Sequence, residues 1–371
     1  MAVRYAWRVN LWIEDPKELS ARLADAPPRV GMDTEFVRER TWWPRLALVQ
    51  LAVGDDILLA DPLAPGIGEA LAPLLADPAI LKVMHSASED LVALKRGCGV
   101  VPAPLFDTQV AAALAGVGAG IGYQRLVLDT TGSTLPKGET RSDWLRRPLS
   151  SSQLEYAADD VLHLDALHAD LERRLRELDR LEWLAEDCAR MVAGARDDAL
   201  DRWPHLGMRA AQFMDAEGQR RLLRLLRWRD AYARDHDRPR GWILDNELAA
   251  SLARNPPADR AALQRQLEAT PKAPRNLGDA IWAALQAPLP DEAEAPEVRS
   301  GERDKALLRS LQDAVSTLAA EHGLPEGVLA SKRWLQALLD RRARGDARWP
   351  GALAGWRRRL LEPRLAPLLP E

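Results

Sequence analysis

Asp33 and Glu35, in the stretch GMDTEF at residues 31–36, are two carboxylates one residue apart inside an otherwise apolar run. Residues two apart on a strand share a face, so reading RVGMDTEFV as a strand sets the two side by side. Like charges at that spacing repel each other and resist burial. Either they face water or something cationic sits between them. Asp90, in HSASEDLVAL, falls near the start of a helix that follows the strand-like AILKVM. Taken alone, it reads as charge complementing a helix N-terminus. In EYAADDV, Tyr156 and Asp160 stand four apart and share a helix face, with Asp159 turned about 100° away toward solvent. Taken alone, Tyr156 reads as a half-buried aromatic. Together the three segments gather four carboxylates, which need counter-charge. Hard divalent cations supply it through oxygen ligands, and Mg²⁺ takes few carboxylates and keeps waters or phosphate oxygens. Two such ions about 4 Å apart would clamp the attacking and leaving oxygens of a phosphodiester. On this reading Asp33 and Glu35 are metal ligands.

The elements that must carry these residues are legible from periodicity. RVGMDTEFV, LALVQLAV and DILLA read as three strands joined by short turns, which favours antiparallel pairing. GIGEALAPLLAD then reads as a helix, AILKVM as a strand, ASEDLVALKRG as a helix ending at Gly97, and APLFDT as a short last strand. Strand-helix-strand order implies parallel pairing for the later strands, hence a mixed sheet with helices packed on it. After about residue 150 the pattern is helical throughout. The Pro-rich, acidic stretch at 287–298 reads as a linker. The expected organisation is an α/β domain over 1–205, including a long helical connection, then all-α domains over 206–292 and 293–371.

Bulk properties narrow the function classes. The chain has 371 residues and a net charge of -4, so any contact with nucleic acid must come from local basic patches. Cys98 and Cys188 are isolated, without metal-ligand or disulfide spacing, which fits a reducing compartment. No run approaches the roughly 18 apolar residues of a membrane span, and no cleavable leader is visible. A cytoplasmic, soluble protein is expected.

GMDTEF, KVMHSASEDL and EYAADDV resemble the three exonuclease motifs of the DEDD superfamily. The spacing of Tyr156 and Asp160, with Asp159 where the other subtype has histidine, is similar to the tyrosine subtype. TWWPRLALVQLA, LFDTQVAAAL and PKGETRSDWLRRPLSSSQLEYAADDV extend the likeness to the ribonuclease D family. LLRLLRWRDAYARDHDRPRGWILDNELAASLARNPP resembles an HRDC domain, a helical module shared with RecQ-type helicases, and 300–371 resembles a second, diverged one. The resemblance implies a ribonuclease-H-like mixed sheet followed by two HRDC-type domains. It implies that Asp33, Glu35, Asp90 and Asp160 hold two divalent ions, Mg²⁺ or Mn²⁺. Tyr156 would then orient or help deprotonate the attacking water, with orientation the main role, since a phenol titrating near 10 is a poor base by itself. The implied activity is 3′-to-5′ hydrolysis of RNA to nucleoside 5′-monophosphates, with tRNA precursors and other small structured RNAs as substrates. No membrane and no obligate protein partner is implied. The same chemistry on DNA 3′ ends is the near alternative. A binding protein with a scaffold exonuclease domain is the distant one; it would show a lost motif carboxylate, and none is lost.

Other residues admit two readings. Asp107 in LFDTQ could touch the substrate or metal-bound water, or cap the helix TQVAAAL. His85 reads as packed and hydrogen-bonded. Arg141 and Arg147, in ETRSDWLRRP, could contact phosphates or form a solvated charge run, with Trp144 in the core. Trp42 and Trp43 could border the site or cover the sheet. Arg221, Arg224 and Arg227, and the segment 332–364 with ten Lys/Arg against three Asp/Glu, could guide RNA or be solvated surface.

Overall fold

The computed structural model describes residues 10–369 except 137, 140, 141, 299–302, 326 and 344, so Arg141 lies outside the described residues. The chain forms two compact units. One comprises the residues up to Val37, Arg45–Asp197, and the segment from residue 302 onward; the other comprises Arg38–Pro44 and residues 198–301.

In the first unit, strands β1 (Asn10–Ile13), β2 (Arg29–Val37), β3 (Arg45–Val53), β4 (Asp56–Ala60), β5 (Leu81–Met84) and β6 (Leu105–Asp107) form one sheet in the order β1-β4-β3-β2-β5-β6. β2, β3 and β4 pair antiparallel, whereas β5 and β6 add in parallel, as strand order and connection length predict. Strand β1, parallel to β4, is not apparent in the sequence. Four residues are too short a run to display an alternation. Helices α1 (Pro16–Leu23), α2 (Ile67–Ala76), α3 (Ser88–Cys98), α4 (Thr108–Leu114), α5 (Tyr123–Thr131), α6 (Ser151–Leu162), α7 (Leu164–Glu177) and α8 (Leu181–Arg196) surround the sheet. Seven consecutive residues of β3, Leu46 to Ala52, are buried, because both faces of this central strand are covered.

Helix α3 does not end at Gly97. Its αL residue is Gly99 (φ 75°), and Gly97 lies inside the helix where a Cβ would stand 2.5 Å from Leu46 Cδ2. One glycine stops the helix, and the other lets it approach the sheet.

Helices α9 (Ala216–Asp235), α10 (Arg240–Ile243), α11 (Asn246–Arg254), α12 (Arg260–Ala269) and α13 (Gly278–Gln286) make up the second unit around Leu222, Leu226, Leu252, Leu267 and Ile281. The stretch 287–298 is no free linker. Glu292 takes a bidentate bond from Arg224 (2.7 and 2.6 Å), Asp291 pairs with Arg227 at 2.6 Å, and Val298 exchanges two bonds with Gln219. Its carboxylates neutralise the arginine stripe of α9, and Arg221 donates to the Ala253 carbonyl. Trp42 and Trp43 belong to this second unit, where both backbone amides donate to Asp237 and Arg240 stacks on Trp42.

The last helices, α14 (Arg303–Glu321), α15 (Lys332–Arg342) and α16 (Trp356–Leu365), share one hydrophobic core with the sheet domain. Trp356 stacks on Trp183 of α8 with centroids 4.5 Å apart and planes 3° apart. Beside it, Arg357 donates to Asp187 at 2.5 Å, and Arg359 pairs with Glu186 at 2.6 Å. Two of the ten basic residues over 332–364 are thus met by acidic residues of α8. Replacing a fully buried tryptophan by alanine costs about 3–5 kcal/mol. Trp356→Ala should therefore lower the thermal midpoint of the first unit by several degrees, read by tryptophan fluorescence. An unchanged midpoint would show that the C-terminal helices are not part of this core.

Candidate active site

Glu35 and Asp33 point from β2 toward α6 and α7, since Gly31, two residues earlier on the same face, abuts Leu164. Their cross-strand partners on β3 are Leu48 and Gln50. A bulge follows at once: Phe36 pairs with Leu46, leaving Ala47 as the extra residue of β3. Bulges twist a ladder and re-aim side chains, and this one sits beside Glu35.

Asp90 enters from the first turn of α3 and is buried. Thr34, on the face of β2 opposite Asp33, donates its hydroxyl to Asp90 Oδ1 at 2.5 Å. The entry to α3 is held from below by Asp107. One oxygen of Asp107 caps α4 by accepting from Gln109 N and Val110 N, and the other accepts from Ala87 N at 2.8 Å. Asp107 is fully buried, so it is a cap and a clasp rather than a substrate contact. His85 is packed as expected, between Thr108 Oγ1 (2.9 Å) and the Ile121 carbonyl (3.1 Å).

Tyr156 and Asp160 come from α6, whose start is fixed by a reciprocal capping box between Ser150 and Gln153. One turn apart on α6, Tyr156 and Asp160 share a face, and Asp160 is among the carboxylates that raise the Tyr156 hydroxyl. Buried Trp144 lies against the Tyr156 ring at 6.1 Å, and the Tyr123 hydroxyl ties α5 to the Asp159 carbonyl at 3.1 Å. Asp159 itself is half-buried rather than solvent-facing. Arg147 also differs from the phosphate-contact reading: all five of its N–H groups are engaged within the protein.

The four carboxyls share one electrostatic environment. Asp33 and Glu35 keep some contact with solvent, yet burial raises the Asp33 carboxyl well above its ordinary range, helped by Asp90, Asp160 and Glu35. Burial followed by repulsion from Asp160 and Asp90 lifts Glu35 to about 8. Asp160 rises to about 7, through burial and then Asp159, and Asp90 to about 6, chiefly through burial. Desolvation is the largest influence on each of the four, and no cation appears among the causes. Tyr156 is pushed well above an ordinary phenol by burial and the same carboxylates. Two contributors escaped the sequence reading. Thr34 is one; Gln50, a buried amide opposite Asp33 with no protein partner, is the other. A lone polar residue in the apolar run LALVQLAV is the signal that could have found it.

Against known proteins, a 3′-5′ exonuclease family model matches residues 12–176, an HRDC domain model matches 219–285, and a model described as the ribonuclease D C-terminal HRDC domain matches 303–365. The ribonuclease D of Xanthomonas oryzae pv. oryzae is 59% identical over 360 residues, covering 96% of this chain and 98% of that one. The chain belongs to the ribonuclease D family. The ribonuclease D of Pseudomonas paraeruginosa is 35% identical, with 94% of each chain covered. The crystal structure of Escherichia coli RNase D, described as an exoribonuclease involved in structured RNA processing, superposes with a TM-score of 0.86. It is 29% identical and covers 97% of this chain and 98% of its own. The first unit therefore carries the 3′–5′ exonuclease domain of a ribonuclease D, and the helical segments carry its HRDC modules.

The raised carboxyls have a stability consequence. A carboxyl whose folded pKa exceeds its unfolded value leaves folding unaffected below the unfolded pKa. It destabilises the fold as pH rises through the folded pKa. For Glu35 that window runs from 4.5 to about 8. In a chelator, Glu35→Gln should melt a few degrees above wild type at pH 8.5, and the gap should close by pH 4.5 in differential scanning calorimetry. A pH-independent gap would mean that Glu35 is not held in this repulsive group.

Proposed function

We propose that the protein is a metal-dependent 3′-to-5′ exoribonuclease, acting in the cytoplasm on tRNA precursors and other small structured RNAs. The observation that carries this reading is the set of four carboxyls whose proton affinity is raised by burial and by neighbouring acidic groups. Such a set is poised to exchange protons for multivalent cations. Asp33, Glu35, Asp90 and Asp160 would hold two divalent ions, Mg²⁺ or Mn²⁺, through hard oxygen donors. Among the described residues, no three Asp, Glu, His or Cys side chains are drawn together into a group that could hold an ion by themselves. Ions held here would need water and phosphate oxygens to complete their shell. When bound, such ions polarise the phosphate and acidify water.

The chain's own groups define the remaining roles. Tyr156 keeps its proton, because burial and the neighbouring carboxylates push its hydroxyl up. It is therefore no general base. Its oxygen retains lone pairs that can accept a bond from the attacking water and aim that water at phosphorus. Water oxygen bonds to phosphorus and the P–O3′ bond breaks, leaving a 3′-hydroxyl on the shortened RNA and a nucleoside 5′-monophosphate. Among the described residues no helix is long and apolar enough to cross a membrane.

End-labelled single-stranded RNA and matched DNA, with Mg²⁺ or with EDTA, test this reading. Stepwise shortening of RNA should stop in EDTA. Asp160→Asn should lose roughly 10²–10³-fold in rate, the scale of removing one preorganised electrostatic group. Tyr156→Phe should lose on the order of 10²-fold. RNA retained without cleavage would overturn the enzymatic reading, and faster shortening of DNA would overturn the choice of polymer.

A further inference from the structure

One arginine ties together the two elements that aim Glu35 and Tyr156. Arg147 grips the Asp61 carboxylate through Nε (2.7 Å) and Nη2 (2.6 Å), in a bidentate pair just beyond β4. Asp61 is buried, and it also accepts from Leu63 N at 3.0 Å. Nη1 donates to the carbonyls of Trp144 (2.8 Å) and Arg146 (2.9 Å), closing the segment that leads into α6. Nη2 makes a further bond of 2.7 Å to the carbonyl of Ala47. The guanidinium lies 5.3 Å from the ring centroid of Trp12. All five donors are spent, so none remains for a phosphate.

Two of these acceptors matter for the site. Ala47 is the bulged residue of β3, the point where the ladder shifts between Glu35 and Phe36. A one-residue change of register exchanges the faces of a strand, so whatever fixes this bulge fixes the direction in which Glu35 points. Trp144 carries the indole against which the Tyr156 ring rests. The same side chain thus holds the strand paired beside one site residue and the packing wall of another.

We infer that Arg147, locked by Asp61, is a positioning residue that holds the β3 bulge and the approach to α6 so that Glu35 and Tyr156 converge. This rests on the roles of Glu35 and Tyr156 proposed above. A lysine cannot replace it: one ammonium keeps the charge opposite Asp61 but cannot span Asp61, Ala47 and Trp144 with a rigid fork.

The test compares Arg147→Lys, Arg147→Ala and Asp61→Asn with Glu35→Gln, Tyr156→Phe and the control Arg29→Ala. The control breaks an ion pair between β2 and α7 (Asp165, 2.5 Å) that is remote from the bulge contacts. RNA hydrolysis, Mn²⁺ affinity by electron paramagnetic resonance without substrate, and thermal midpoint are read on each. All three positioning variants should lose about 10–100-fold in kcat, the usual scale for groups that orient ligands, with KM for RNA within about twofold. Mn²⁺ affinity should fall in parallel. Arg29→Ala should leave kcat and Mn²⁺ affinity as in wild type, with at most a small drop in midpoint because its ion pair is largely exposed. If the Arg147 and Asp61 variants lower only the midpoint, the inference is overturned and the pair is a fold rivet. Should both Arg147 variants fail to fold, Asp61→Asn decides by the same readouts. If Glu35→Gln and Tyr156→Phe are themselves fully active, the reading of the site fails before the inference is reached.

Discussion

Burial of four carboxyls, Asp33, Glu35, Asp90 and Asp160, is the constraint around which the rest of the first unit is arranged. Burial raises all four; repulsion from the others adds to it at Asp33 and Glu35, and repulsion from neighbouring acids outside the set adds at Asp90 and Asp160. No fold would assemble them spontaneously without rigid support from each direction. That support is specific: the central strand β2 for two of them, the Asp107 clasp and Thr34 hydroxyl for the third, and the capped α6 for the fourth. Stability given up at such a cluster is characteristic of sites built for function, and it is recovered in the surrounding core.

Positive charge is managed in the opposite way. The arginines that look available in the sequence are largely committed inside the protein. Arg147 is spent on Asp61 and three carbonyls, Arg224 on Glu292, Arg227 on Asp291, and Arg357 on Asp187. These pairs join segments distant along the chain, so they serve as fasteners of the fold. Their burial in ion pairs removes them from any account in which the whole basic stripe of α9 or of the C-terminal segment meets RNA.

Much of this was legible in the residues. The short turns joining RVGMDTEFV, LALVQLAV and DILLA point to the antiparallel centre of the sheet, and the four-residue spacing of Tyr156 and Asp160 to their shared helix face. The likeness to exonuclease motifs, more than any spacing, brought the three acidic segments together. Strand β1 escaped because four residues show no period. The end of α3 was misjudged because Gly97 and Gly99 look alike in sequence, although close approach to Leu46 requires one and a positive φ the other. Partners of the arginines escaped for a different reason. Glu292 lies 68 residues from Arg224 and Asp187 lies 170 residues from Arg357, and no local rule reaches that far. The bulge at Ala47 shows only in the register of two strands.

The central claim is that the four carboxylates form one cation-binding group. Its most direct test is anomalous scattering from a crystal of the protein soaked with Mn²⁺ and a nucleoside 5′-monophosphate. The account predicts two anomalous peaks among Asp33, Glu35, Asp90 and Asp160, lost or reduced to one in Asp160→Asn. Mononucleotide bound with no anomalous peak at these carboxylates, or Mn²⁺ bound only elsewhere, would contradict it.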